Sequence, residues 1–63
     1  MVLIIRNESY LGYTLVLIKD DDAYQVRIVG ETGVAMANSS RHVNADGAVH
    51  EAKRWVDAMA KPR

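Results

Sequence analysis

The apolar residues in the middle of the chain alternate with polar ones. Residues 23–29 (AYQVRIV) are the clearest case, and a period of two residues predicts a β-strand with one buried face. The apolar face is formed by Tyr24, Val26 and Ile28, and the polar face by Gln25 and Arg27. This segment therefore predicts a strand that lies on a hydrophobic core and presents Gln25 and Arg27 to solvent.

Two further strands are predicted before it. Residues 2–5 and residues 10–19 are rich in β-branched and aromatic side chains, whereas residues 7–9 (Asn-Glu-Ser) are typical of a turn. The acidic run at residues 20–22 interrupts the second strand and predicts a hairpin with the third. The predicted core face of the second strand consists of Leu11, Tyr13, Leu15 and Leu17.

The last third of the chain changes to a helical period. After a short fourth strand at residues 34–37 and a loop, an apolar stripe spaced for a helix begins near Asn44 or Asp46. The stripe consists of Ala45, Ala48, Val49, Ala52, Trp55, Val56 and Met59. Asn44 suits the N-cap, Asp46 the first turn, Lys61 the last turn and Pro62 the stop. We predict one α+β domain over residues 1–63, a three- to four-stranded antiparallel meander with one C-terminal helix packed on one face.

The second strand is apolar on both sides. Val16 and Ile18 fall on the side away from the helix, where Val2 and Ile4 of the first strand join them, while Leu3 and Ile5 share the other face. An antiparallel sheet with one solvated face should be polar there. A contiguous apolar patch on that face indicates contact with a protein partner, and a homodimer through the sheet is one form of it.

Composition and length narrow the classes of function. The chain has 63 residues, eight basic and eight acidic side chains, and no cysteine. Neutral charge argues against strong non-specific binding of nucleic acid, and a small domain has little room for a catalytic cleft. The first residues are too short an apolar run for a signal peptide or a membrane span. We expect a cytoplasmic protein that is not an enzyme, needs no cofactor and does not enter a membrane.

Three groups of residues carry the candidate chemistry. The turn Asp20-Asp21-Asp22 lacks the spacing of a calcium loop, so it is either solvated or an acidic contact for a basic partner, in the manner of nucleic-acid phosphates. Asp46 and His50 are four residues apart on the predicted helix but lack further metal ligands. A third group has the residue types of a catalytic triad without its spacing, and consists of Ser39, Ser40, His42 and Asp46.

A DNA-binding alternative rests on the outer side of the sheet. A three-stranded sheet can lie in the major groove, where arginine pairs with guanine and glutamine with adenine. Gln25 and Arg27 point to that side, and Arg6, Tyr10 and Thr14 are candidates to join them. This alternative is a small DNA-binding regulator or recombination accessory.

The C-terminal segment EAKRWVDAM (residues 51–59) carries a resemblance. A short β-meander followed by a helix of this form resembles small proteins of bacterial phages and prophages, closely over residues 51–58 and loosely over 23–60. The layout is also similar to the DNA-binding domains of phage integrase arms and plant AP2 proteins, and to several anti-CRISPR proteins. The motif carries no functional residue across, and its inward positions belong to a core helix.

The resemblance implies a phage-type accessory protein that acts inside the host cell by protein–protein interaction. Its most concrete form is an anti-CRISPR inhibitor that blocks a CRISPR effector complex sterically or by imitating nucleic-acid charge. The predicted contact residues are Asp20, Asp21, Asp22, Val16, Ile18, Gln25 and Arg27.

Overall fold

A computed structural model describes residues 1–60. Four strands precede one helix: β1 (Val2–Tyr10), β2 (Tyr13–Asp20), β3 (Ala23–Val29), β4 (Ala35–Asn38) and α1 (Ala45–Ala60). All neighbours in the sheet are antiparallel and the strand order is β1-β2-β3-β4. The predicted α+β fold is confirmed, and β3 has the predicted bounds. Lys61 and Pro62, which we assigned to the end of the helix, lie outside the described residues.

The first strand is longer than predicted. Residues 7–9 continue β1 instead of turning, and Asn7 lies opposite Val16 of β2. Their polar side chains suit an edge strand, where one side of the backbone has no partner strand. The turn lies at Leu11 and Gly12, whose φ angles of 50° and 86° are the two positive values that a type I′ hairpin turn requires. Leu11 is therefore exposed in the turn, and the prediction that it belongs to the core face is wrong.

A bulge in β1 decides which side chains face the helix. The pairing shifts at Ile5, so that Ile4 lies opposite Ile18 while Arg6 lies opposite Leu17. Residues that face each other across two strands project to the same side of the sheet. The bulge therefore turns Arg6, Glu8 and Tyr10 to the helix side, and the expectation that Arg6 and Tyr10 lie on the outer side is wrong.

The hydrophobic core lies between β2, β3 and α1. The sheet contributes the buried side chains Leu15, Leu17, Val26 and Ile28, and the helix contributes Ala48, Ala52 and Val56. Trp55 is half-buried at the edge of this core, with its ring 6.0 Å from that of Tyr13 at an interplanar angle of 87°. Met59 was expected in the core but is 57% exposed. Asp57 accepts a hydrogen bond from Tyr10, the last residue of β1 before the hairpin turn. The residues of α1 after Asp57, Met59 among them, therefore extend past the end of the sheet.

The helix begins after an Asn44 cap, the first of the two predicted starts. The side-chain oxygen of Asn44 accepts a hydrogen bond of 2.8 Å from the N–H of Gly47, and Asp46 lies in the first turn. This bond satisfies one of the backbone donors that every helix leaves free at its start. Asn44 therefore fixes where α1 leaves the loop.

Polar contacts attach the second half of β1 to the helix. Lys53 Nζ lies 2.9 Å from a carboxylate oxygen of Glu8, and the Tyr10 hydroxyl donates a hydrogen bond of 2.7 Å to Asp57. The bond from Lys53 lowers the pKa of Glu8, and the bond to Asp57 raises the pKa of Tyr10. Within residues 1–60, none of these side-chain contacts reaches residues 2–5, which pair with β2 along one side of the strand.

Candidate functional site

The outer side of the sheet carries the apolar patch that the sequence predicts. Val16 and Ile18 are half-buried there, and Ile4 lies directly opposite Ile18. Val2 and Ile4 are 56% and 68% exposed. The helix packs on the other side of the sheet, and no other helix or strand of residues 1–60 covers this one. The four side chains are therefore contiguous and open to contact.

The patch continues around the edge of the sheet. Met1 and the four residues after it are all large apolar side chains, and each is at least 47% exposed. Because β1 is an edge strand, its outer backbone groups have no partner strand among residues 1–60. We call this surface the apolar edge, and it comprises Met1–Ile5 with Val16 and Ile18. Natural edge strands are often blunted by charges, proline or bulges; this half of β1 has no charge and no proline, and its bulge at Ile5 lies at its end.

The two polar strand residues predicted to contact a partner, Gln25 and Arg27, differ in whether their side chains already form hydrogen bonds within the chain. Gln25 donates a hydrogen bond of 2.9 Å to the backbone oxygen of Ser39, which ties its side chain to the loop after β4. Arg27 is exposed between Val16 and Asn38 on the outer side. Of the described strand residues, Arg27 is the only basic one that the register places on that side. One cation is a poor electrostatic footprint for DNA, so the register weighs against the DNA-binding alternative.

The acidic turn is partly neutralised within the chain. Asp20 lies 3.6 Å from the guanidinium of Arg41, and Asp21 lies 3.9 Å from the amino group of Met1. Asp22 is exposed and has no ion pair within residues 1–60. Ion pairs at a surface stabilise a protein little, but here they reduce the net negative charge of the turn. The turn is therefore a mixed-charge surface next to the apolar edge, since Val2 lies opposite Asp20.

A second site, which the sequence analysis missed, lies on the flank of α1 that faces the loop after β4. His42 Nε2 is 2.7 Å from a carboxylate oxygen of Glu51, and the N–H of Ser40 donates to both oxygens of that carboxylate at 3.1 and 3.2 Å. The hydrogen bond from His42, followed by that from the Ser40 backbone, holds the pKa of Glu51 below its ordinary value of 4.5. The carboxylate thus fixes the loop after β4 to the helix.

A glycine in the first turn of α1 makes this contact possible. A Cβ atom on Gly47 would lie 2.8 Å from Nδ1 of His42, which is closer than two such atoms can approach. The backbone of His42 is held from the other side by Tyr24, with hydrogen bonds of 2.7 and 2.8 Å. Glycine disfavours a helix, so its place inside α1 was the one sequence signal that another group packs closely there.

These contacts leave a groove between α1 and the segment after β4. We call it the helix groove; its volume is about 570 Å³. Its walls are formed by His42, Gly47, His50, Glu51, Arg54 and Trp55. His50 and Arg54 are exposed at the rim, and neither has an ion pair within the described part of the chain. The groove therefore combines the indole of Trp55 with the guanidinium of Arg54, which forms no ion pair with the described residues.

The residues that resemble a catalytic triad are arranged differently. Ser39 is buried and its hydroxyl bonds to backbone groups, while Ser40 and His42 both bond to Glu51 and not to each other. No ion pair joins Asp46 to His50 within residues 1–60, and no group of three or more His, Cys, Asp or Glu side chains there is placed to hold a metal ion. The structure therefore does not bring together the serine, histidine and carboxylate in the order that nucleophilic catalysis requires.

The lowered pKa of Glu51 predicts a pH dependence of stability. Because the pKa is lower in the folded chain, the contact stabilises the fold above pH 4.5 and this contribution is lost as the pH falls through the lowered value. We expect Glu51→Gln to reduce the loss of unfolding free energy between neutral pH and about pH 3, measured by urea denaturation. Glu31→Gln, at an exposed turn position, is the matched control. Equal acid sensitivity of Glu51→Gln and the unmodified chain would contradict the assignment.

Comparisons with known proteins give no relative from which a function could be inferred. The single helix formed by residues 1–60, α1, is not long and apolar enough to cross a membrane. The chain matches no protein-family model, no curated protein and no solved structure.

Proposed function

We propose that the protein acts by binding another protein through the apolar edge. The observation that carries this proposal is the run of five exposed apolar side chains at residues 1–5, four of which lie on β1, a strand with a free edge. Such a strand exposes both hydrophobic surface and unpaired backbone donors and acceptors to water. A partner that covers both removes this apolar surface and the free backbone groups from water.

The partner that fits best contributes an extended strand. Val2 and Ile4 project to the outer side of the sheet and Leu3 to the helix side, since Leu3 lies opposite Lys19. A strand added beside β1 would form backbone hydrogen bonds along its edge, and its own alternating side chains would meet apolar residues on both sides of the sheet. The chemistry therefore favours a partner segment that is apolar on both faces, with a basic group near Asp22.

Replacing Ile4 tests the surface. We expect Ile4→Glu to weaken partner binding about 30-fold or more, because burial of an isoleucine side chain contributes about 2 kcal/mol and a charge at this place has no counter-ion. Ile4 is 68% exposed, so the change should leave the fold intact. The measurement is quantitative capture of interacting proteins on the immobilised chain, followed by titration with the captured partner.

The matched control is Val43→Glu, because Val43 is an exposed apolar residue in the loop before α1, 87% exposed and outside the sheet. A partner lost from Ile4→Glu but retained by Val43→Glu supports the proposal. Equal capture by both variants would reject the apolar edge as the contact surface. Sedimentation velocity shows whether the captured partner is a second copy of the chain.

The most concrete form of the proposal is an inhibitor of a CRISPR effector complex. It is supported by the resemblance of the EAKRWVD helix to phage proteins, by the small size of the chain and by an apolar surface with acidic residues beside it. The test is the plating efficiency of a targeted phage on a strain with an active CRISPR system. Expression of the chain should restore plating, and expression of Ile4→Glu should not. Unchanged interference in every CRISPR type tried would reject this form while leaving the binding surface to the capture experiment.

A further inference from the structure

We propose that the helix groove binds a planar organic carboxylate. The groove lies on the flank of α1 that faces the loop after β4, whereas the apolar edge lies at β1, so the proposal does not depend on the proposed function. Its volume of about 570 Å³ falls within the range of small-molecule sites. The class of ligand follows from the charge, shape and hydrogen bonding of the walls.

The guanidinium of Arg54 supplies the anion contact. Arg54 is exposed at the rim and has no ion pair or hydrogen bond to residues 1–60, whereas Arg41 is already paired with Asp20. The parallel N–H groups of a guanidinium match the two oxygens of a carboxylate, and the resulting pair of charge-assisted bonds fixes the orientation of the ligand. His50, one helical turn before Arg54, adds a second polar group at the same rim.

Glu51 selects against more highly charged anions. Its carboxylate also lines the groove, but both of its oxygens accept hydrogen bonds from His42 or Ser40. Glu51 is therefore a fixed negative charge whose two oxygens already accept hydrogen bonds within the chain. Repulsion from this charge is about twice as large for a dianion such as phosphate as for a carboxylate. A single negative charge on the ligand is consequently the best match to one free arginine.

Trp55 defines the shape of the rest of the ligand. Its indole is half-buried and its orientation is fixed by the edge contact with Tyr13. A held aromatic ring offers a flat apolar surface on which another ring can stack. The space beside Gly47 is filled by the imidazole of His42, which lines the groove as a second flat ring. Together these features favour a flat apolar body that carries one carboxylate.

The test is an NMR titration of the full chain with benzoate. We expect saturable shifts of the Trp55 indole N–H and the Gly47 amide, with affinity in the millimolar range. Benzyl alcohol has the ring without the charge, and acetate has the charge without the ring, so each should bind about tenfold more weakly or not at all, as expected from the loss of one charge-assisted or stacking contact. Inorganic phosphate, titrated in a mildly alkaline buffer where it is mostly the dianion, should also bind about tenfold more weakly or not at all because Glu51 repels it. Shifts that are linear and spread over the surface, or phosphate binding as tight as benzoate, would overturn the proposal.

Substitution of Arg54 tests the contact itself. Arg54→Gln should weaken benzoate binding about tenfold, because it replaces the guanidinium by a shorter, uncharged amide and so removes the charge-assisted bonds. Arg27→Gln removes one exposed arginine from the outer side of the sheet and is the matched control, with unchanged affinity expected. Equal affinity of Arg54→Gln and Arg27→Gln would overturn the site. Because Arg54 is exposed, an unchanged amide spectrum outside the groove serves as the check on folding.

Discussion

Leu17→Ala is expected to lower the free energy of unfolding by about 2–5 kcal/mol, because it removes a buried side chain and leaves a cavity. Leu17 is 2% exposed and lies in the centre of the sheet, opposite Arg6 of β1 and Val26 of β3. A chain of this length has a total stability of about 3–9 kcal/mol, so the loss is a large part of the whole. Urea denaturation followed by the fluorescence of Trp55 measures it.

The neighbouring residue supplies the control. Ile18 belongs to the same strand, but its side chain projects to the outer side and remains half-exposed. We expect Ile18→Ala to cost about 1 kcal/mol or less, since cavity formation requires a surrounding core. Comparable losses for Leu17→Ala and Ile18→Ala would show that the outer side of the sheet is covered in solution, which would contradict its description as an open surface.

Ser39→Ala is expected to lower the free energy of unfolding by about 1–3 kcal/mol, the cost of leaving a buried backbone donor without its acceptor. The hydroxyl of Ser39 accepts a hydrogen bond of 2.9 Å from the N–H of Val26 and donates one of 2.8 Å to the backbone oxygen of Ser40. With the bond from the N–H of Ser39 to the oxygen of Val26, it extends the ladder of β3 beyond the end of β4. The expected result is faster hydrogen exchange at the Val26 amide together with lower stability.

Ser40→Ala is the matched control for this variant. The hydroxyl of Ser40 is exposed and lies 3.3 Å from Glu51, and the shorter bonds to Glu51 come from its backbone N–H, which alanine keeps. We expect a change within about 0.5 kcal/mol, as is usual for surface substitutions. Unchanged exchange at Val26 in Ser39→Ala would reject the role assigned to the buried hydroxyl.

The periodic parts of the fold could be predicted from the sequence. The alternation of residues 23–29 located β3, and the helical stripe and the Asn44 cap located α1, because in both cases burial of one face dictates the spacing. The extent of β1 could not be predicted, since Asn7–Ser9 have the composition of a turn and are polar because they lie at an edge. The bulge at Ile5 depends on how β1 pairs with β2, and no local pattern encodes it.

The candidate sites likewise include residues that could be placed from the sequence and contacts that could not. Val16 and Ile18 could be placed on the outer side because alternation fixes the side of the sheet on which each residue lies. The bond between His42 and Glu51 could not be predicted, since it joins a loop to a helix across nine positions and depends on their packing. The one sequence signal for this packing is Gly47, because glycine lowers helix stability and yet stands inside α1.

The linear order of the elements has a consequence for synthesis of the protein. Every ladder of the sheet joins strands that are consecutive in the chain, so the meander can form by successive local pairings with little loop-closure entropy. Of the elements formed by residues 1–60, α1 is the one that covers the hydrophobic side of that meander, and it follows all four strands. A nascent chain therefore exposes two apolar surfaces to water until α1 leaves the ribosome, and α1 then covers one of them. The other surface, the apolar edge, is still exposed when translation of α1 is complete.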